Sequence, residues 1–298
     1  MNIILIILVF GVIVFFHEFG HFIVAKMNKI AVMEFSIGMG PAIFSVQKKE
    51  TKYSLRLLPI GGYCMMMGED GESEDENAFN NKPLLARILV IAAGPVFNFI
   101  LAFVFSIVLI HFTGCDPATL TTVVEHSAAE EAGIVVGDTV TAINGKHIYN
   151  YREILLYMMS EDASKPVTLS VKHADGTKDS VVVTPKVDKE GNYKLGVAGG
   201  YIASDGFGND LKYAGLELRY WMKATVTGLR MIVTGGVKNG DIMGPVGVGN
   251  AMNDVIEEAK DVSTTRKEAV INVLLNLMNW SILLSVNLGI MNLLPIPA

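Results

Sequence analysis

The chain has 298 residues, of which 51% are hydrophobic and only 18% charged, against roughly 25% charged in an average soluble domain. A net charge of -6 leaves no basic footprint for nucleic acid. Two cysteines, Cys64 and Cys115, exclude a disulfide scaffold and a thiolate zinc cluster. The composition therefore speaks against a disordered chain and an ordinary cytosolic enzyme, and for an integral membrane protein.

The first apolar stretch, 1–25, is long enough to cross a bilayer, which takes about 20 residues. It carries His17-Glu18-Phe19-Gly20-His21 where a cleaved signal peptide would have a small-residue cleavage site, so it reads as a retained span. Residues 26–87 form a loop of two parts. From Phe35 to Leu58 the sequence alternates in places and is punctuated by Gly38, Gly40, Pro41, Gly61 and Gly62, which predicts one or two β-hairpins. Glu69 to Glu76 is an acidic run, expected to be a solvated, mobile loop. A second span, uncharged, occupies 88–112.

Residues 115–200 read as a folded domain. Short strands are expected at Val140–Ile143, Val167–Val171 and Val181–Thr184, a helix at Tyr151–Met159, and tight turns at Asn144-Gly145 and Asp175-Gly176. A linker, 201–268, holds an amphipathic helix from Leu216 to about Val233; it either packs on the domain or lies at the membrane surface. The third span, 269–298, is uncharged. Its Asn272, Asn276, Asn279 and Asn287 fall within roughly 80° of one helix face, and this polar stripe should face protein or water. Pro295 and Pro297 must break the helix, which at membrane depth is tolerated beside a cavity. Lys26, Lys29, Lys82 and Arg87 flank the first loop and predict it to be cytoplasmic, with the domain outside. Cys64 and Cys115 then lie on opposite sides and do not pair.

The chemistry resides in the HExxH motif. Four residues apart on a helix, His17 and His21 lie on one face about one turn, roughly 6 Å, apart, so both imidazoles reach a single Zn²⁺. Glu18, beside the first ligand, is placed to take a proton from water instead of binding the metal. Burying these groups in a span costs on the order of 2 to 3 kcal/mol or more for an ionised carboxylate, which marks them as functional.

With these residues in place, a resemblance becomes specific. HEFGH at 17–21, FSIGMGP at 35–41, LPIGGY at 58–63, KPLLARILVIAAGPVFNFILA at 82–102, AGIVVGDTVTAINGKHI at 132–148, GPVGVG at 244–249 and SVNLGIMNLLPIPA at 285–298 resemble, in order and over most of the chain, the site-2 protease family of intramembrane zinc metalloproteases, of the bacterial regulator of sigma-E protease type. The resemblance implies an α+β integral membrane protein with three transmembrane helices, a membrane-associated β-hairpin loop and an extracytoplasmic PDZ-like domain at 115–200. It implies His17 and His21 as zinc ligands and Glu18 as catalytic acid/base. Substrate contacts are implied at Asn292 and Asn287, and at Gly38 and Gly40 within a re-entrant β-loop that pairs with an unwound substrate. The implied partners are single-span membrane proteins, such as anti-sigma factors or remnant signal peptides, the bilayer of a bacterial plasma membrane, and peptide termini at the PDZ-like domain. The sequence departs from the family in stopping at Ala298, before the Leu-Asp-Gly whose aspartate is the third zinc ligand; no Asp or Glu lies in its last thirty residues. The expectation is a copy truncated before that ligand and a fourth helix, and inactive as it stands. A non-catalytic adaptor that binds peptide termini is the alternative, and a metal-binding transporter component a weaker one.

Overall fold

A computed structural model describes every residue except 1, 70, 72, 190, 237–242 and 295–298; the expected helix break at Pro295 and Pro297 lies outside the described residues. In chain order the elements are α1 (Asn2–Met27), β1 (Val32–Lys48), β2 (Thr51–Met66), α2 (Leu84–Thr113), β3 (Leu120–Val123), α3 (Ala128–Glu131), β4 (Thr139–Ile143), β5 (Lys146–His147), α4 (Tyr151–Ser160), β6 (Val167–Lys172), β7 (Lys178–Val183), β8 (Lys186–Val187), β9 (Tyr193–Lys194), β10 (Val197–Gly199), α5 (Phe207–Val233), α6 (Pro245–Asp261) and α7 (Arg266–Leu293). They group into two compact units, 1–106 with 242–298, and 107–241.

In the first unit, α1, α2 and α7 are long and apolar enough to cross a membrane. α1 and α2 approach so closely at Gly20 that a Cβ there would lie 2.5 Å from the Ala93 carbonyl oxygen; the glycine of HEFGH sets this helix contact. α2 carries Pro95 in its interior, which cannot donate to the Ile91 carbonyl and frees it. Val9 and Ile13 of α1, Leu101 of α2, Met252 and Ile256 of α6, and Val273 and Leu277 of α7 form one buried apolar cluster. α6, within the expected linker, was not foreseen: its apolar residues are too sparse to stand out before α1 is seen packed against them.

The expected hairpin is a four-row sheet made from two long strands. Residues 34–37 of β1 pair with 52–55 of β2 on one side and with 62–65 on the other, and 42–48 of β1 flank the far side of 51–56. The rows thus run 62–66, 32–37, 51–55, 42–48. β1 turns its corner at Gly38 and Gly40, both with φ 84°, a region open to glycine at little cost. Arg56 clasps the corner. Its guanidinium donates to Ser36 Oγ (2.9 Å), the Gly40 carbonyl (2.6 Å), Glu34 Oε1 (2.8 Å) and the Tyr63 hydroxyl. The acidic run is exposed at Glu69, Gly71, Glu74, Asp75 and Glu76, as expected of a solvated loop, and makes local hydrogen bonds. Asp75 Oδ1 accepts from the Asn77 amide at 2.7 Å, and Asn81 Nδ2 donates to the Ser73 and Asp75 carbonyls.

The second unit is built on the antiparallel sheet β5-β4-β6-β7 and the pair β10-β3. Leu120, Ile143, Ile154 and Leu169 are buried between sheet and helices. Asn144 and Gly145 both have positive φ in the tight turn between β4 and β5, as a two-residue hairpin requires, and the Asn150 side chain caps α4 by accepting from the Glu153 amide. Cys64 and Cys115 are both unpaired.

α5 packs on α4 through charge. Arg152 bonds Asp116 at 2.9 Å and Glu217 at 3.1 Å and stacks on the Tyr220 ring at 4.6 Å. Glu153, fully buried, pairs with Lys223 at 2.9 Å and with Arg219. Of the two readings of this helix, its basic face is committed to the domain, while Phe207, Met222, Val226 and Val233 stay exposed on it. Burial disfavours the Arg152 cation, but Glu217 and Asp116 outweigh that and hold its pKa above the ordinary range. Removing it strands two carboxylates that are each less than a tenth exposed. Arg152→Ala should therefore destabilise this unit by about 3 kcal/mol, read as a lowered denaturation midpoint of Trp221 fluorescence, since that indole donates to Glu217.

Candidate active site

The site lies wholly in the first unit. One turn apart on α1, His17 and His21 turn their Nε2 atoms to within 3.3 Å of each other. Two nitrogens sharing one tetrahedral zinc at about 2.0 to 2.1 Å stand roughly 3.3 to 3.4 Å apart, so the spacing is that of a shared metal. The far side of each ring agrees. His21 Nδ1–H donates to the Val90 carbonyl at 2.7 Å, which leaves the Nε2 lone pair for a metal. His17 Nδ1 lies 3.2 Å from the Asn98 amide. Asn98 is fully buried and its Oδ1 has no partner. A half-turn of that amide, exchanging its oxygen and nitrogen, lets Oδ1 accept from His17 Nδ1–H and fixes that ring the same way.

The space in front of the rings is kept open by Gly94 of α2. A Cβ at 94 would lie 2.3 Å from His21 Nε2 and 2.8 Å from His17 Nε2, which is where an ion bridging the two would sit. Glycine here is a requirement of the site, one the sequence reading quoted within a motif without assigning it a role. The cue available was the Gly-Pro pair inside an otherwise uninterrupted apolar span.

Glu18 faces a neighbouring cavity of about 540 Å³ that it lines together with His21, Tyr63, Cys64 and Glu69. The Cys64 backbone N–H donates to its carboxylate, so the first row of the sheet holds the glutamate beside the two histidines and outside the ligand pair. From the far end of the chain, Asn292 of α7 brings its Nδ2 to 3.2 Å from His17 Nε2. α7 is seated against α2 by the Ser285 hydroxyl, which donates to the Asn98 carbonyl at 2.9 Å.

The structure thus gathers His17, Glu18, His21 and Asn292, and adds Gly94, Asn98 and Cys64. Gly38 and Gly40 sit at the strand corner and are not among the described residues that line the cavity. Asn287, five residues before Asn292, lies about 140° around the helix from it. Asn272 and Asn276 bond locally, to Ser263 Oγ and to the Asn272 carbonyl, so this part of the stripe serves the helix start. Among the described residues no group of three His, Cys, Asp or Glu converges, and the metal donors present are the two imidazoles.

Comparison with known proteins gives the class. The profile of peptidase family M50 matches residues 5–298, and the chain belongs to that family, the membrane-embedded site-2 proteases. A protein assigned as a zinc metalloprotease in Clostridium acetobutylicum is 35% identical over 298 residues, covering 100% of this chain and 83% of that one. The regulator of sigma-W protease RasP of Bacillus subtilis is 30% identical over 377 residues, covering 98% and 86%. Among solved structures, the PDZ domain of an SdrC-like protein from Listeria monocytogenes aligns with 28% of this chain and 87% of its own at 21% identity, with a TM-score of 0.26, too low to carry an argument.

Because the cradle has no room for a methyl group, Gly94→Ala should lower zinc affinity at least as much as loss of a supporting partner does, about 10- to 100-fold. Metal content after dialysis against graded zinc buffers measures this.

Proposed function

We propose that the protein is a zinc-dependent intramembrane endopeptidase that cleaves single-span membrane proteins, of the anti-sigma-factor or remnant-signal-peptide kind, within or near a bacterial plasma membrane. The observation that carries this reading is the pair of imidazole nitrogens 3.3 Å apart over the space that Gly94 keeps free, with Glu18 held beside it. His17 and His21 would hold zinc, which when bound supplies Lewis-acid polarisation of the scissile carbonyl and of water. Glu18 takes the proton from the attacking water. As the water oxygen bonds to the carbonyl carbon and the C–N bond breaks, Glu18 returns that proton to the departing amine nitrogen. Asn292 offers an amide donor at the same place.

The substrate's backbone must leave its helix to be cut, since a helix hides each carbonyl in an i to i−4 bond. An open strand edge would hold it extended. In this sheet the segment around Ser36 is the central row, already paired on both sides, whereas the 62–66 row has β1 on one side only. Tyr63, Cys64, Met65 and Met66 of that row line the cavity with Glu18. The receiving edge in this reading is therefore 62–66, and Gly38 and Gly40 serve it by turning the strand behind it. Ile43 and Phe44 of the 42–48 row and Leu57 and Leu58 at the strand corner are exposed, apolar enough to sit in lipid. The 115–200 domain, on the outer side in this reading, would filter or dock substrates through their peptide termini, with the catalytic groups toward the cytoplasmic side.

Glu18→Gln in the membrane-embedded protein should reduce cleavage of a single-span reporter by about 10³-fold while leaving bound zinc unchanged, measured side by side by gel assay and elemental analysis. Cleavage undiminished in that variant would sink the mechanism.

A further inference from the structure

The acidic run beginning at Glu69 is a motif that the proteolytic reading leaves without a role. Its first residue is curled back to the mouth of the cavity that Glu18 and His21 line. The Met66 amide donates to Glu69 Oε2 at 3.2 Å. The intervening turn is fixed on both sides: the Met67 amide donates to the Ala31 carbonyl at 2.9 Å, and the Met67 carbonyl accepts from the Phe79 amide at 2.7 Å. Gly68 makes the turn at φ 72°, where a side chain is strained, and a Cβ there would lie 2.2 Å from Asn80 Oδ1 and 2.9 Å from the Ala78 Cβ, so glycine suits the turn that aims Glu69. Among the described residues lining this cavity there are two carboxylates, Glu18 and Glu69, and no Lys or Arg.

We propose that Glu69 is a specificity-determining residue that receives a lysine or arginine side chain of the substrate two residues from the scissile bond. The proposal rests on the proteolytic reading above and adds a charge preference to it. The register follows from the sheet. Cys64 is the edge residue that holds Glu18, and Met66, which holds Glu69, is two residues further along. At about 3.3 Å per residue the offset is about 6.6 Å, two residues of a paired substrate strand. Glu69 is exposed at the cavity, where a carboxylate attracts a nearby cation and repels an anion to a modest, salt-dependent degree.

The test uses three single-span reporters identical except for Lys, Gln or Glu at the positions two residues either side of the cleavage site. Their binding is measured in lipid nanodiscs to the complete protein carrying Glu18→Gln, so that nothing is cut. Affinities should rank Lys, Gln, Glu, with about fivefold between steps. Adding Glu69→Lys should reverse the order. Adding Glu69→Gln, which keeps an acceptor for the Met66 amide, should level it. An order unchanged by both variants, or no order at all, overturns the proposal. Cleavage by the protein with Glu18 intact separates the two ideas: cutting without a charge ranking refutes the Glu69 contact alone, and a ranking without cutting refutes proteolysis.

Discussion

Two imidazole nitrogens facing each other across 3.3 Å inside a bundle of apolar helices are the constraint on which the rest of the structure depends. The Val90 carbonyl stands behind His21 Nδ1, the Asn98 amide behind His17 Nδ1, and the Asn292 amide 3.2 Å from His17 Nε2, so each ring is oriented by its neighbours. Everything nearby keeps that gap both narrow and empty. Gly20 lets α2 come close enough to put residue 94 opposite the rings, and Gly94 then withholds the one carbon that would fill the gap. The fully buried Asn98, beside which α7 is seated, completes the frame.

The sheet supplies the other half of the site. Doubling two strands back on themselves yields four rows from 33 residues of strand and makes the row next to Glu18, like the 42–48 row opposite, an outer one. Arg56 crosses three rows to hold the corner and Tyr63 together, so the outer row is braced from behind while on its front the Cys64 and Met66 amides hold Glu18 and Glu69. The Cys64 backbone N–H is where the two halves meet: it belongs to that outer row and it holds Glu18.

Much of this was legible in the residues and some was not, for identifiable reasons. Histidines at i and i+4 around a glutamate fix their own geometry as soon as the segment is helical, and the segment's apolarity makes it so. Strand alternation at 167–171 and the Asn-Gly turn likewise declare themselves locally. The doubled sheet could not be read, because nothing local distinguishes a strand paired on one side from one paired on both; the re-entrant segment around Ser36 became the central row for that reason. α6 was missed because its apolar positions acquire meaning only against α1. The acidic run is solvent-exposed, as its charge suggests, but the hydrogen bonds from Asn81 to its backbone are invisible in a string of carboxylates. In the stripe of asparagines on α7, Asn272 and Asn276 make local bonds at the start of the helix, which a shared face alone does not reveal.

The junction between α4 and α5 sets how the second unit responds to heat. It is held by Arg152 with two carboxylates and Glu153 with two cations, the charges largely withdrawn from water. The hydration that such groups give up becomes less favourable as temperature rises, so the penalty for burying them shrinks, whereas apolar burial gains little per unit area. A joint built this way tightens, relative to its apolar surroundings, on warming. The helix that follows the domain is therefore fastened to α4 by the contact least prone to loosen on warming.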